Sequence, residues 1–384
     1  MRFATYTGGG PAPGLNAAIW TIIQESKKNG VELIGFLNGA QGILDRKFIT
    51  LSEKSEIPEK IERTLYLKGG TYLGTSRLNP EEEIDKFKAI LKELEIDGLI
   101  TIGGDDTARA GSTFQSAGIP TNHVAKTIDN DVWGTDKTFG YETVVTLGRE
   151  AANALAEDAS STGGIYVSEV MGRGAGHITF GIFEGSAASV ALIPEVNFDI
   201  EKLKEYLQDK NGIVVLVAEG AYDKKLAEGY TKEREEIREI LTRQGISKDL
   251  INKHFPVPER DDFGNVKKGG VAKMIVAELI QYFKKENIKK RIRQTPDLGY
   301  QYRCADPITA DVQLAQRMAR FAFDNLLEGL NGTPIEGENV GVMGALKGND
   351  IKPYPLKNVV KKTRVVPKEL YEPYLAEGGL LIHY

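Results

Sequence analysis

Phe3-Ala4-Thr5-Tyr6-Thr7-Gly8-Gly9-Gly10-Pro11-Ala12-Pro13-Gly14-Leu15-Asn16-Ala17-Ala18-Ile19 sets the fold class. Phe3 to Thr7 is a short run suited to a buried strand. From Leu15 to Lys28 the apolar residues Leu15, Ala18, Ile19, Ile22 and Ile23 recur at helical spacing. The glycines between leave backbone N–H groups free to face an anion, and a helix N-terminus adds positive potential. The loop is neither a Walker A sequence nor a G-x-G-x-x-G fingerprint. A phosphate site is favoured over a plain tight turn. In open α/β sheets, ligands bind outside the carboxyl ends of strands, where this loop falls.

The same rhythm continues outward. Val31–Leu37 reads as a strand, Ile84–Leu94 as a helix and Gly98–Ile102 as a strand ending in glycines. A helix over Thr107–Ala117 and a strand over Thr121–Ala125 follow. After a long helix, Tyr141–Asp158, the pattern restarts with strands Ile165–Val170, Val190–Ile193 and Gly212–Ala218. The class is therefore α/β, with open, mostly parallel sheets flanked by helices and a second similar domain from about residue 141. Residues 223–268 are rich in Lys and Glu. Ile237, Ile240 and Leu241 recur there, so a helical surface excursion is expected.

Composition narrows the functions. The 384 residues carry a net charge of −5, so no overall basic field draws nucleic acid or an anionic membrane. The N-terminus lacks a signal-peptide core, and the apolar runs are too short to span a bilayer. A lone cysteine, Cys304, rules out a disulfide within the chain and fits a reducing, cytoplasmic setting. A small buried filler is the expected role for this thiol.

Further motifs fall at strand ends. In Gly103-Gly104-Asp105-Asp106-Thr107, two carboxylates behind two glycines favour a metal over a surface or capping role. In Lys126-Thr127-Ile128-Asp129-Asn130-Asp131, the two aspartates share a face of an extended segment, so one can take a proton while the other holds geometry. An Asx turn competes equally. Arg173, among glycines in Glu169–Gly176, is free to reach a phosphate. Glu219-Gly220 offers a carboxylate for sugar hydroxyls. Arg291, Arg293, Tyr300, Gln301 and Arg303 form a local cationic cluster suited to a phosphate, with a solvated basic face as the alternative.

Taken together, GGGPAPGLNAAI, GGTYLGTSR, GGDDT, KTIDND, GYETVV, EVMGR, LIPE and AEG resemble the phosphofructokinase family, in order, over some three-quarters of the chain. The resemblance implies two Rossmann-like three-layer domains with the active site between them. They would occupy 1–140, joined by part of 300–350, and 141–299, with segments of 300–384 returning across both. It also implies phosphoryl transfer to the 1-hydroxyl of fructose 6-phosphate, with Mg2+ as cofactor. Asp129 would be the general base, supported by Thr127 and Asp131, and Asp105 the magnesium carboxylate. Gly10, Arg77, Gly104 and Thr107 would meet the donor phosphates. Met171, Gly172, Arg173 and Glu219 match sugar-binding positions, with Arg173 also counted as catalytic. Arg303, Tyr300 and Arg293 match the 6-phosphate pocket, and Arg291 is the alternative to Arg293.

ATP-using members of that family generally have glycine where this chain has Asp106, and usually where it has Lys126. Pyrophosphate-using members resemble this chain at both. A carboxylate at 106 would repel the α-phosphate of a nucleotide, and a lysine at 126 suits a compact, highly charged donor. The resemblance thus implies pyrophosphate and fructose 6-phosphate as partners, in a homodimer or homotetramer. ATP, another acceptor, or a non-catalytic paralogue are the alternatives. Gly164 departs from the family, many of whose members have an arginine there. Trp20, Gln24, Ala156 and Ser189 stand where regulated members carry charged effector-binding residues, so no such allosteric site is expected.

Overall fold

The computed structural model describes residues 1–53, 55–221, 270–332, 340–359 and 362–383. The charged 223–268 segment lies outside them. The strands, in chain order, are β1 (Arg2–Gly8), β2 (Glu32–Phe36), β3 (Phe48–Thr50), β4 (Thr75–Ser76), β5 (Gly98–Gly103) and β6 (Thr121–Ala125). They continue with β7 (Ile165–Val170), β8 (Val190–Leu192), β9 (Ile213–Ala218) and β10 (Ile292–Gln294), then β11 (Val342–Lys347), β12 (Asp350–Pro355) and β13 (Leu381–Ile382). The chain divides into one compact unit of Met1–Leu147 with Gly299–Arg364, and another of Gly148–Leu298 with Val365–Tyr384.

The first unit holds an eight-stranded sheet in the order β12-β11-β6-β5-β1-β2-β3, with β4 also paired to β1. Only β3 and β12 run antiparallel to their neighbours. β1 is central and buried from Phe3 onward, as a parallel strand covered on both faces must be. On one face Phe3 meets Phe323 of the helix Thr309–Leu330 at 5.4 Å, beside Leu15, Ile19 and Ile22 of the helix Leu15–Asn29. On the other, Tyr6 and Phe114 pack edge to face at 6.5 Å, with Phe87 on Phe114. Gly30, with φ 64°, ends the first helix in the left-handed conformation, and Lys27 and Lys28 complement its C-terminal dipole.

The second unit holds a five-stranded sheet in the order β10-β7-β9-β8-β13, parallel except for β13. Its core joins Val167, Val215 and Val217 to Ile275 and Leu279 of the helix Val271–Lys285. The α/β class with mostly parallel sheets is as expected. Two local readings need correction. The helix expected from Thr107 starts at Asp105, so both carboxylates lie in its first turn. Cys304, expected to be buried, is exposed, because it sits in the loop after a single 3-10 turn at Tyr300–Tyr302. Among the described residues no helix is long and apolar enough to cross a membrane.

Candidate functional site

In the first unit the glycine loop is built by close approach. β4 pairs with the end of β1, Thr7 opposite Thr75 and Gly8 opposite Ser76, with Arg77 next in the chain. Gly9 N donates to Ser76 O at 3.1 Å, and Thr75 Oγ1 donates to Gly9 O at 2.6 Å. Asn16 ties the GGTYLGTSR segment to the helix. Its amide donates to Lys68 O and Gly69 O, and its carbonyl accepts from Tyr72 N. Gly10 leaves the space that defines the site: a Cβ there would lie 1.5 Å from Arg303 Nη2. Lys126, 3% exposed, donates from Nζ to Gly10 O at 2.5 Å. A charge-assisted bond of this kind contributes about 1.5–3 kcal/mol. Two cations from distant parts of the sequence therefore meet one glycine. Arg303 also lies over the Tyr300 ring at 5.2 Å.

Thr107 fills the gap between two strand ends, since Cβ atoms on Gly8 and Gly103 would come within 2.4 and 2.2 Å of its Oγ1. Gly104 faces Lys126 O and Thr127. Asp105 and Asp106, half-buried, sit at the positive end of the helix Asp105–Ser116. Asp106 pairs with Arg109 at 3.6 Å, one turn on. Such a half-exposed pair is weak. Asp105 supplies hard oxygen donors at a strand end. Among the described residues no group of three or more His, Cys, Asp or Glu gathers as a metal cage. Magnesium takes one or two carboxylates and completes its shell with water and substrate phosphates, so the chemistry of the Asp105 carboxylate fits it.

Beneath this turn lies His123, which the sequence reading passed over. It is fully buried in β6, opposite Thr101. Gly103 O, 3.1 Å away, can only accept, so Nε2 carries the proton and Nδ1 accepts from Thr101 Oγ1 at 2.8 Å. Burial pushes its pKa down to about 3, the nearby Lys126 charge adding to the effect and the Gly103 bond opposing it. The unfolded chain binds this proton below about pH 6.5, so between there and about pH 3 the unfolded state holds more protons and stability falls as pH falls. Glutamine can offer the same donor and acceptor without titrating. Denaturant unfolding of wild type and His123→Gln should therefore give a stability difference that changes by about 1.4 kcal/mol per pH unit through this window. A flat difference would contradict the assignment.

The loop after β6 carries the paired aspartates. Asp129 N donates to Thr127 Oγ1 at 3.1 Å, closing a tight turn. Asn130 follows with φ 55°, a left-handed conformation costing about 1 kcal/mol that asparagine tolerates better than most side chains. Its Oδ1 accepts from Thr138 N at 3.0 Å, and Thr138 Oγ1 donates to Thr127 O at 2.8 Å. Asp131 is 7% exposed. Thr127 and Asn130 thus supply turn-closing side chains in this loop.

In the second unit, β7 ends in Met171-Gly172-Arg173. Glu219, just past the parallel neighbour β9, accepts from Gly172 N at 3.2 Å and Arg173 N at 2.6 Å through one oxygen. Those bonds hold exposed Arg173 at φ 53°. Gly220 is required because a Cβ would lie 2.1 Å from Arg173 O. Glu169, by contrast, caps the helix Val271–Lys285, accepting from Gly270 N and Ala272 N. Glu195 of LIPE likewise accepts from Gly176 N and Val366 N. Arg293, on β10 opposite Tyr166, and Arg291 are both exposed. The cationic cluster thus divides: Arg291 and Arg293 belong to this unit, Tyr300, Gln301 and Arg303 to the other. The Gly164 departure has a local cause, since a Cβ there would lie 2.6 Å from the buried Tyr166 ring. Trp20 packs on Tyr66, and Gln24 donates to Glu62.

Known proteins resemble this chain. A family model described as phosphofructokinase matches residues 2–326. The pyrophosphate–fructose 6-phosphate 1-phosphotransferase of Amycolatopsis methanolica is 33% identical over 97% of this chain and 98% of its own length. The ATP-dependent 6-phosphofructokinase of Mycobacterium tuberculosis is also 33% identical, over 99% of this chain and 100% of its own. The crystal structure of the pyrophosphate-dependent phosphofructokinase from Nitrosospira multiformis superposes with a TM-score of 0.74 at 21% identity, over 100% of this chain and 89% of that one, and so supports the fold.

Proposed function

The chain belongs to the phosphofructokinase family, transferases of glycolysis, and from that premise we propose that it moves a phosphoryl group from pyrophosphate to the 1-hydroxyl of fructose 6-phosphate. The observation that carries this reading is the meeting of Lys126 and Arg303 at Gly10, with Asp106 in the first turn of the neighbouring helix. Two cations on one small loop match a compact, highly charged donor. A carboxylate beside them opposes the longer, equally anionic chain of a nucleotide.

In this reading Asp129 takes the proton of the attacking hydroxyl. Thr127, bonded to its backbone, and Asp131 hold the geometry. Gly10, Arg77, Gly104, Thr107 and Lys126 hold the donor, whose transfer depends mainly on positioning and charge neutralisation. Asp105 would hold magnesium, which supplies charge neutralisation on the donor phosphates when bound. Met171, Gly172, Arg173 and Glu219 orient the sugar, and Arg173 also neutralises charge on the transferring group. Arg293, Tyr300 and Arg303 receive the 6-phosphate, with Arg291 as alternate. Because its guanidinium lies against Gly10, Arg303 in this reading also offers its charge to the donor loop. A homodimer or homotetramer in the cytoplasm completes the proposal.

The second reading, ATP as donor, is favoured by the mycobacterial ATP-dependent relative, which is as similar as the pyrophosphate-dependent one. The reverse reaction separates the two. Fructose 1,6-bisphosphate with inorganic phosphate and Mg2+ should yield fructose 6-phosphate and pyrophosphate. Turnover that requires ADP in place of phosphate would refute the pyrophosphate reading.

A further inference from the structure

We infer that Arg364 is a positioning residue of the reaction, clamping the backbone between the two carboxylates of the Asp129–Asp131 loop. The inference rests on the functional reading above, in which that loop holds the base.

Arg364 is 234 positions from Asn130, and the fold brings them together. Thr363 forms an antiparallel bridge with Val132. Arg364 N donates to Asp131 O at 2.8 Å, and Arg364 Nη1 donates to Asn130 O at 2.8 Å. The chain thus holds two consecutive carbonyls of the loop with one residue, through backbone and side chain. The carbonyl that the guanidinium grips belongs to Asn130, the residue in the left-handed conformation. That conformation decides where Asp129 and Asp131 point. Thr138 supports it from the side-chain end through Asn130 Oδ1, whereas Arg364 supports it from the carbonyl. Arg364 is half-buried, and Asp131, Asp136 and Tyr141 all interact with its charge. Guanidinium stays protonated at any working pH. It therefore also sets a fixed positive charge beside Asp131. Lysine can keep a charge but not the planar geometry of this contact.

The test compares wild type, Arg364→Ala and Arg364→Lys in three readouts. Amide hydrogen exchange across residues 128–138 needs no activity. It should quicken in Arg364→Ala while β1 and β5 keep their protection. Turnover on whichever donor the wild type prefers should fall by about 10²-fold in Arg364→Ala. KM for both substrates should change little, because the donor and sugar contacts lie elsewhere. Arg364→Lys should fold and recover part of the loss. Unchanged exchange in the loop of Arg364→Ala overturns the inference, with or without activity. So does a fall in melting temperature with kcat retained, since that is a structural role only. A quickened loop in a protein whose wild type is inert with every donor supports the clamp and counts against the functional reading alone.

Discussion

Replacing Asp129 with serine is expected to lower turnover by about 10²- to 10⁴-fold, the range that a positioned general base contributes. Binding of fructose 6-phosphate, followed calorimetrically, should persist. The expectation is specific to the side chain, because three bonds that hold the turn do not use its carboxylate. Thr127 Oγ1 accepts from Asp129 N, a bond that serine at 129 keeps. Asn130 is braced through Thr138 and Arg364. The change therefore removes a carboxylate and leaves those three bonds in place. If Asp129→Ser instead retained most of its turnover, the base would have to be sought elsewhere, with Asp131 first in line.

The second large effect concerns the donor. In the double variant Asp106→Gly, Lys126→Gly, pyrophosphate turnover should fall steeply and ATP turnover should rise from a negligible level. Lys126 Nζ is bonded to Gly10 O, so its loss removes one of two cations at the glycine loop and one of that loop's anchors. Asp106 stands in the first turn of a helix whose positive end otherwise favours phosphate. Removing it exposes that potential to a nucleotide. The single variant Asp106→Gly should give a weaker gain, because Arg109 already offsets part of the carboxylate charge. Lys126 is buried, so thermal melts must accompany the kinetics to separate unfolding from a change of donor. A stable double variant that still used pyrophosphate at the wild-type rate, with no gain for ATP, would show that other residues set the choice.

Much of the fold was legible because its signals are local. The strand, glycine loop and helix of residues 3–28 lie within one stretch, each marked by its own periodicity. Thr121–Ala125 matches β6 to the residue. Asp105 joined the following helix because a carboxylate in a first turn is stabilised by the dipole, a gain the loop reading did not weigh. The contributions of the last third of the chain were harder to read. Met343 pairs with His123, and Asn122 donates to Ala322 O, contacts spanning about two hundred residues that no local pattern announces.

The candidate site divides in the same way. Glycines forced by close approach, such as Gly10 and Gly220, stood out as motifs. Glu169 stood in a motif too, but it caps a helix; identity alone does not separate a carboxylate that binds ligand from one that binds N–H groups. The meeting of Arg303 with Gly10 and the tie from Arg364 to Asn130 depend on tertiary placement. His123 left one signal, a titratable ring in the short strand Thr121–Ala125. Its meaning required knowing that Gly103 lies across the sheet.

The most direct test of the account is the steady-state rate of the wild-type protein with fructose 6-phosphate and Mg2+, measured side by side with pyrophosphate and with ATP as donor. The account predicts kcat/KM for pyrophosphate far above that for ATP. Strong activity with ATP and negligible activity with pyrophosphate would contradict it.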